Sequence, residues 1–131
     1  MSTTLRYFFR KADKLKSKKT IDELFGKGSS FSNYPFKVFW LPKNKEAILQ
    51  AAVGVSSRNF KKATDRNRIK RLMREAYRLQ KEKLQQHLKE KDQQLSVFIL
   101  YLGKELPEYE TVFEKTGVII KRLVKLTDGK N

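Results

Sequence analysis

Leu95-Ser96-Val97-Phe98-Ile99-Leu100-Tyr101-Leu102 is the stretch on which the fold turns. It is a nearly unbroken apolar run, rich in β-branched and aromatic side chains, and Gly103 closes it. A run this short and this apolar reads as a strand buried on both faces, the centre of a sheet. On its N-terminal side lies a long amphipathic helix. At about 100° per residue from Ile69, the residues Ile69, Leu72, Met73 and Ala76 fall on one side. Asn67, Lys70, Arg71, Arg74, Arg78 and Lys81 fall on the other. Asp65 suits the N-cap of this helix, and the pattern continues past Leu84 and Leu88 before fraying around Lys89 to Asp92. On the C-terminal side, beyond Pro107, a last helix is expected from Glu108 to Leu126, with Val112, Phe113, Ile119, Ile120, Leu123 and Val124 as its core face.

Further out, Phe36-Lys37-Val38-Phe39-Trp40-Leu41 reads as a strand stopped by Pro42. Phe36, Val38 and Trp40 share one face, Phe39 and Leu41 the other. Large apolar groups on both faces mean either that both are covered or that one carries an exposed aromatic strip. Ile48 to Ser57 is expected as a second strand, entered through the Lys43-Asn44-Lys45 turn and paired with the first as a hairpin or meander. Thr20 and Glu23 fit a capping box for a short first helix, which Gly26 or Gly28 can end. The order is helix, two or three strands, helix, strand, helix. That is an α/β (α+β) single-domain sandwich of one sheet with helices.

The chain has 131 residues and no cysteine, which leaves room for one domain and excludes disulfides and thiolate metal sites. It divides into an arm (1–16) with Tyr7, Phe8 and Phe9, a core (17–126) and a tail (127–131). No apolar run reaches membrane-spanning length and no signal peptide is visible, so a soluble, cytoplasmic protein is expected, with no membrane and no small-molecule partner. Thirty Lys and Arg against fourteen Asp and Glu give a net charge of +16. Residues 1–19 carry +6 of this and residues 58–83 carry +8. Self-repulsion at that density costs folding free energy that a polyanion offsets, so the partner class is nucleic acid.

The densest chemistry lies between Ser56 and Arg71: a strand end, a polar loop and a helix start. Helix-start amides favour phosphate, Arg presents a planar fork to phosphate oxygens, and Asn can bond a base edge or sugar hydroxyl. Phe25, Phe39 and Trp40 are candidate surfaces for base stacking. Phe39 is the best placed, because Trp40 shares a face with Phe36 and Val38. No catalytic or protein metal site is visible. His87 stands alone in a polar stretch and is expected to be solvated. Glu105, Glu108, Glu110 and Glu114 suit the start of the last helix.

The run Lys62-Ala63-Thr64-Asp65-Arg66-Asn67-Arg68-Ile69-Lys70-Arg71-Leu72-Met73-Arg74-Glu75-Ala76-Tyr77-Arg78 resembles the signature of the bacterial ribonuclease P protein subunit. Lys14-Leu15-Lys16 and Leu24-Phe25-Gly26-Lys27-Gly28-Ser29-Ser30 resemble that family's opening helix and turn. The resemblance implies the order α-β-β-β-α-β-α with a left-handed crossover. It implies a non-catalytic chain that joins a catalytic RNA to remove 5′ leaders from precursor tRNA, with Mg2+ held mainly by RNA. Contact with the catalytic RNA would fall to Arg58, Lys61, Lys62, Arg66, Asn67, Arg68, Lys70, Arg71, Arg74 and Arg78. A leader cleft would be lined by Ile21, Phe25 and Phe39. Ile21 departs from an aromatic common in the family, and Phe60-Lys61 stands where an aliphatic-Gly pair is common. The same charge also suits a structural RNA-binding protein, such as a ribosomal protein or RNA chaperone. A protein-only nuclease would need acids near the basic face, and the sequence shows too few.

Overall fold

The computed structural model describes residues 24–42 and 48–128. The aromatic arm, the Thr20–Glu23 capping box, Ile21, the Lys43-Asn44-Lys45 turn and the end of the tail lie outside the described residues. A helical turn at 24–27 is followed by β1 (Ser29–Asn33), β2 (Phe36–Leu41), β3 (Leu49–Val55), α1 (Ala63–Glu90), β4 (Leu95–Tyr101) and α2 (Tyr109–Asp128). The strands form one sheet in the order β1-β2-β4-β3. As the sequence suggests, β4 lies inside the sheet, antiparallel to β2 (Val38 opposite Ile99) and parallel to β3 (Val53 opposite Ile99).

That order corrects one expectation. β2 and β3 are not partners, because β4 inserts between them. The hairpin is instead β1–β2, closed by the Tyr34-Pro35 turn, whose peptide bond is cis. β1 is a serine-rich edge strand anchored by Phe31, so its apolar pattern is too sparse to advertise it.

The two sheet faces differ sharply. Phe31, Phe36, Val38, Trp40, Leu49, Ala51, Val53, Val97, Ile99 and Tyr101 point into the main core with α1 and α2. Burying a Leu, Val or Phe side chain contributes about 1.5–3 kcal/mol, so this layer carries most of the stability. α1 packs both on β3 and along α2. Two neighbours widen its buried stripe beyond the predicted Ile69, Met73 and Ala76 to include Tyr77, Leu84, Leu88 and Arg74. On α2, Val112, Ile119, Ile120 and Leu123 are buried as expected, while Phe113 is exposed.

The helix ends have local causes. α1 begins at Ala63 with Lys62 as N-cap, and Asp65 sits inside the first turn, where a carboxylate favours the helix dipole without capping it. Its C-terminus closes with Gln93 N–H donating to the Leu88 carbonyl (2.9 Å) and Asp92 N–H to that of Lys89 (3.2 Å). Asp92 takes the left-handed conformation there, φ 54°, the conformation usual after a helix end.

The helical turn 24–27 covers part of the opposite face. Leu24 is buried with Ala52, beside Leu41 and Phe98. Gly28 allows this close approach: a Cβ there would stand 2.5 Å from the Leu24 carbonyl oxygen and 2.9 Å from that of Trp40. Gly28→Ala is therefore expected to lower stability by about 1–3 kcal/mol in urea unfolding, the cost of overpacking. Gly26→Ala, with nothing within 4 Å of its Cβ, should be neutral. Equal effects from the two would refute the contact. No helix among the described residues is long and apolar enough to cross a membrane.

Candidate nucleic-acid interface

The loop from Ser56 to Lys62 joins the exit of β3 to α1 and is braced at both ends. Ser56 N–H donates to the Tyr101 carbonyl (3.3 Å). Asn59 Nδ2 donates to the carbonyls of Leu102 (3.0 Å) and Gly103 (3.3 Å). Phe60 is buried, its ring 6.2 Å from that of Tyr101. Burial holds the Tyr101 phenol above its ordinary range, with smaller contributions from Tyr34 and Glu105. The Tyr101 hydroxyl donates to the Glu105 carbonyl at 2.7 Å.

This bracing leaves Arg58, Lys61 and Lys62 exposed on the loop, and Asn67, Arg68 and Arg71 exposed on the first turns of α1. Lys70 is half-buried among them. Desolvation lowers its pKa, and the charges of Arg74 and Arg66 lower it further. An arriving phosphate would relieve that repulsion.

Three of the expected RNA-contact residues are buried or already engaged within the protein. Arg74 is buried, 2% exposed, rather than on the exposed basic face, although it lies about 140° from Ile69 on the wheel. Burial lowers its pKa, and Arg71 adds to the effect. Arg66 turns one end of its guanidinium onto the loop, donating to the carbonyls of Phe60 (2.7 Å) and Lys61 (2.9 Å). Arg78 is exposed but engaged with Glu75 at 2.8 Å, which raises its pKa. Arg66→Ala is expected to speed exchange of the Phe60 amide, which donates to the Ser56 carbonyl, by about tenfold, from loss of two charge-assisted bonds that brace the loop. Unchanged exchange would show that the loop does not depend on this brace.

The second surface is an aromatic cleft beside the helical turn 24–27. Phe25 is 48% exposed. Its ring meets Phe39 edge-on at 4.8 Å and Phe98 at 5.3 Å. Lys37 Nζ lies 5.4 Å from the centre of the Phe39 ring, close enough for a cation–π contact. Gly54 makes room for Phe98, whose ring tip would lie 2.7 Å from a Cβ at that position. Phe39 is half-buried and available on this face, as the alternation predicts. Trp40, also considered for stacking, belongs to the core on the other face. Phe98 was hidden in sequence because every neighbour in its strand is also apolar; only its pairing opposite Phe39 marks it.

His87 is half-buried, with Nε2 enclosed and lacking a hydrogen-bond partner, rather than solvated. Among the described residues no group of three or more His, Asp or Glu side chains is placed to hold a metal ion.

Comparison with known proteins gives a consistent answer. The family model for Ribonuclease P matches residues 9–124. The ribonuclease P protein component of Porphyromonas gingivalis is 32% identical over 114 residues, covering 86% of this chain and 83% of the relative. That of Bacillus velezensis is 31% identical over 118 residues, covering 90% and 91%. The RNase P protein of Staphylococcus aureus shares the fold with a TM-score of 0.67 at 19% identity, over 92% of this chain and all of that one, 100%. The Thermotoga maritima protein superposes with a TM-score of 0.63 at 23% identity, over 83% and 96%. The order α-β-β-β-α-β-α is common to them, with the turn at 24–27 in the place of the first helix. With a family match across most of its length and relatives above 30% identity along more than four-fifths of theirs, this chain belongs to the ribonuclease P protein family.

Proposed function

We propose that this chain is the protein component of a cytoplasmic ribonuclease P, the ribonucleoprotein that removes 5′ leaders from precursor tRNA. It binds the catalytic RNA through the braced loop and the first turns of α1, and the single-stranded leader through the aromatic cleft. The observation that carries this reading is the band of exposed cations from Arg58 to Arg71, in which Asp65 is the only acid, in a chain of this family. Phosphate recognition there divides by geometry. Arg68 and Arg71 offer free planar forks, Lys61 and Lys62 offer point charges, and Asn67 can bond a sugar or base edge. Arg66 braces the loop, and Arg78 joins only when Glu75 releases it.

Hydrolysis itself is assigned to the RNA. Mg2+ supplies the charge stabilisation that such phosphoryl chemistry requires. Among the described residues no donor set gathers for it. The protein's own work is to neutralise phosphates where RNA strands crowd together, and to hold an unpaired strand over Phe25, Phe39 and Phe98.

The test is cleavage of precursor tRNA, with magnesium, by the tagged protein purified from its own cells, before and after nuclease removes bound RNA. Cleavage at the mature 5′ end that disappears with the RNA supports the proposal. Activity surviving complete RNA removal refutes the division of labour. No cleavage, with ribosomal RNA in the eluate, replaces the proposal with a structural RNA-binding role.

A further inference from the structure

Tyr34 is the most exposed large hydrophobic side chain among the described residues, 71% exposed at the tip of the β1–β2 turn. Neither RNA surface described above includes it. From Phe39 it is five residues along the chain, roughly 15 Å at strand spacing, so it cannot share a base with the cleft.

Its turn is hydrogen-bonded to a cationic end of the sheet. The Pro35 carbonyl accepts the Leu102 N–H at 2.7 Å. The Leu102 carbonyl in turn accepts Asn59 Nδ2 at 3.0 Å. The turn, the exit of β4 and the basic loop are thus fastened side by side at one end of the sheet. Arg58, next to Asn59, and Lys104, just beyond Gly103, are both exposed there. The nearby acid is Glu105, also exposed. An aromatic ring on a short turn fastened by hydrogen bonds loses little freedom when a base lies on it, and cations at the same end of the sheet suit the phosphates that flank that base.

We infer that Tyr34 is a stacking platform for one unpaired RNA nucleotide, whose phosphates lie against Arg58 and Lys104. The inference rests on the RNA-binding reading above and adds a contact separate from the leader cleft. An unpaired nucleotide can come from the catalytic RNA or from the precursor tRNA, and the two sources are distinguished by binding.

Full-length protein carrying Tyr34→Ala or Tyr34→Phe is titrated against the catalytic RNA alone, and each assembled complex against precursor tRNA. Both series are repeated over a range of salt. Tyr34→Ala is expected to weaken one of the two steps by about tenfold, the effect of losing one stacked base. The affected step identifies the source. Tyr34→Phe keeps the ring and should bind as the parent protein does. The salt slope should stay the same for Tyr34→Ala and fall by about one for Arg58→Ala, since only the latter loses a phosphate contact. Unchanged binding of Tyr34→Ala in both steps overturns the inference, as does an equal loss with Tyr34→Phe. If Tyr34→Ala binds normally while Arg68→Ala does not, only the platform fails. If the parent protein does not bind the catalytic RNA, the underlying functional proposal fails instead.

Discussion

Replacing Arg68 and Arg71 together with alanine should weaken binding to the catalytic RNA by about a hundredfold at moderate salt. It should also reduce the slope of log affinity against log salt by about two. Both side chains are exposed on the first turns of α1, and neither occurs in a hydrogen bond or ion pair described above. Their loss opens no cavity, so thermal unfolding should be nearly unchanged. The slope separates this from indirect damage: an affinity loss with an unchanged slope would mean that neither arginine meets a phosphate. Arg74→Ala is the contrasting variant. Because the side chain is buried, its loss should lower stability before it alters RNA binding.

The second large effect is expected at Phe39. Phe39→Ala should weaken binding of leader-bearing precursor to the assembled complex by about ten- to a hundredfold, while mature tRNA binds as before. The ring is a platform and also holds the cleft's geometry, because Phe25 meets it edge-on at 4.8 Å and Lys37 lies near its face. Truncation removes the stacking surface and releases Phe25 from one of its two aromatic neighbours among the described residues. Equal loss for precursor and mature tRNA would exclude a leader cleft on this face. Phe98→Ala should give a weaker form of the same discrimination.

Much of this arrangement is legible in sequence where the pattern is local. The apolar run at 95–102 gives the inner strand, the alternation at 36–41 separates core-facing Trp40 from cleft-facing Phe39, and the 3.6-residue period gives α1. Pairing is where local pattern falls silent. Nothing within 36–57 shows that the partner of β2 will arrive more than fifty residues later, so two adjacent strands read as a hairpin. Arg74 misleads for a related reason. A single helical wheel assumes one buried side, whereas α1 is covered by β3 and by α2. The basic loop is visible as charge, but its bracing by Asn59 and Arg66 runs to main-chain carbonyls, which have no sequence signature.

The late position of β4 sets the order in which the molecule can be made. During synthesis β1 and β2 can pair as soon as they emerge, because only the Tyr34-Pro35 turn separates them. β3 cannot: its described sheet partner is β4, forty residues further along. Until residues 95–101 appear, the apolar Leu49, Ala51, Ala52 and Val53 lack their native cover, and the chain already carries most of its positive charge. The nascent protein thus presents an unpaired apolar strand edge beside a helix rich in arginine, a combination prone to association with other chains and with RNA. Chains stopped before Leu95 should collect in insoluble or RNA-bound form, and those extended through α2 should not. Completion of the final third, rather than of the basic motif, is the step that commits this polypeptide to its fold.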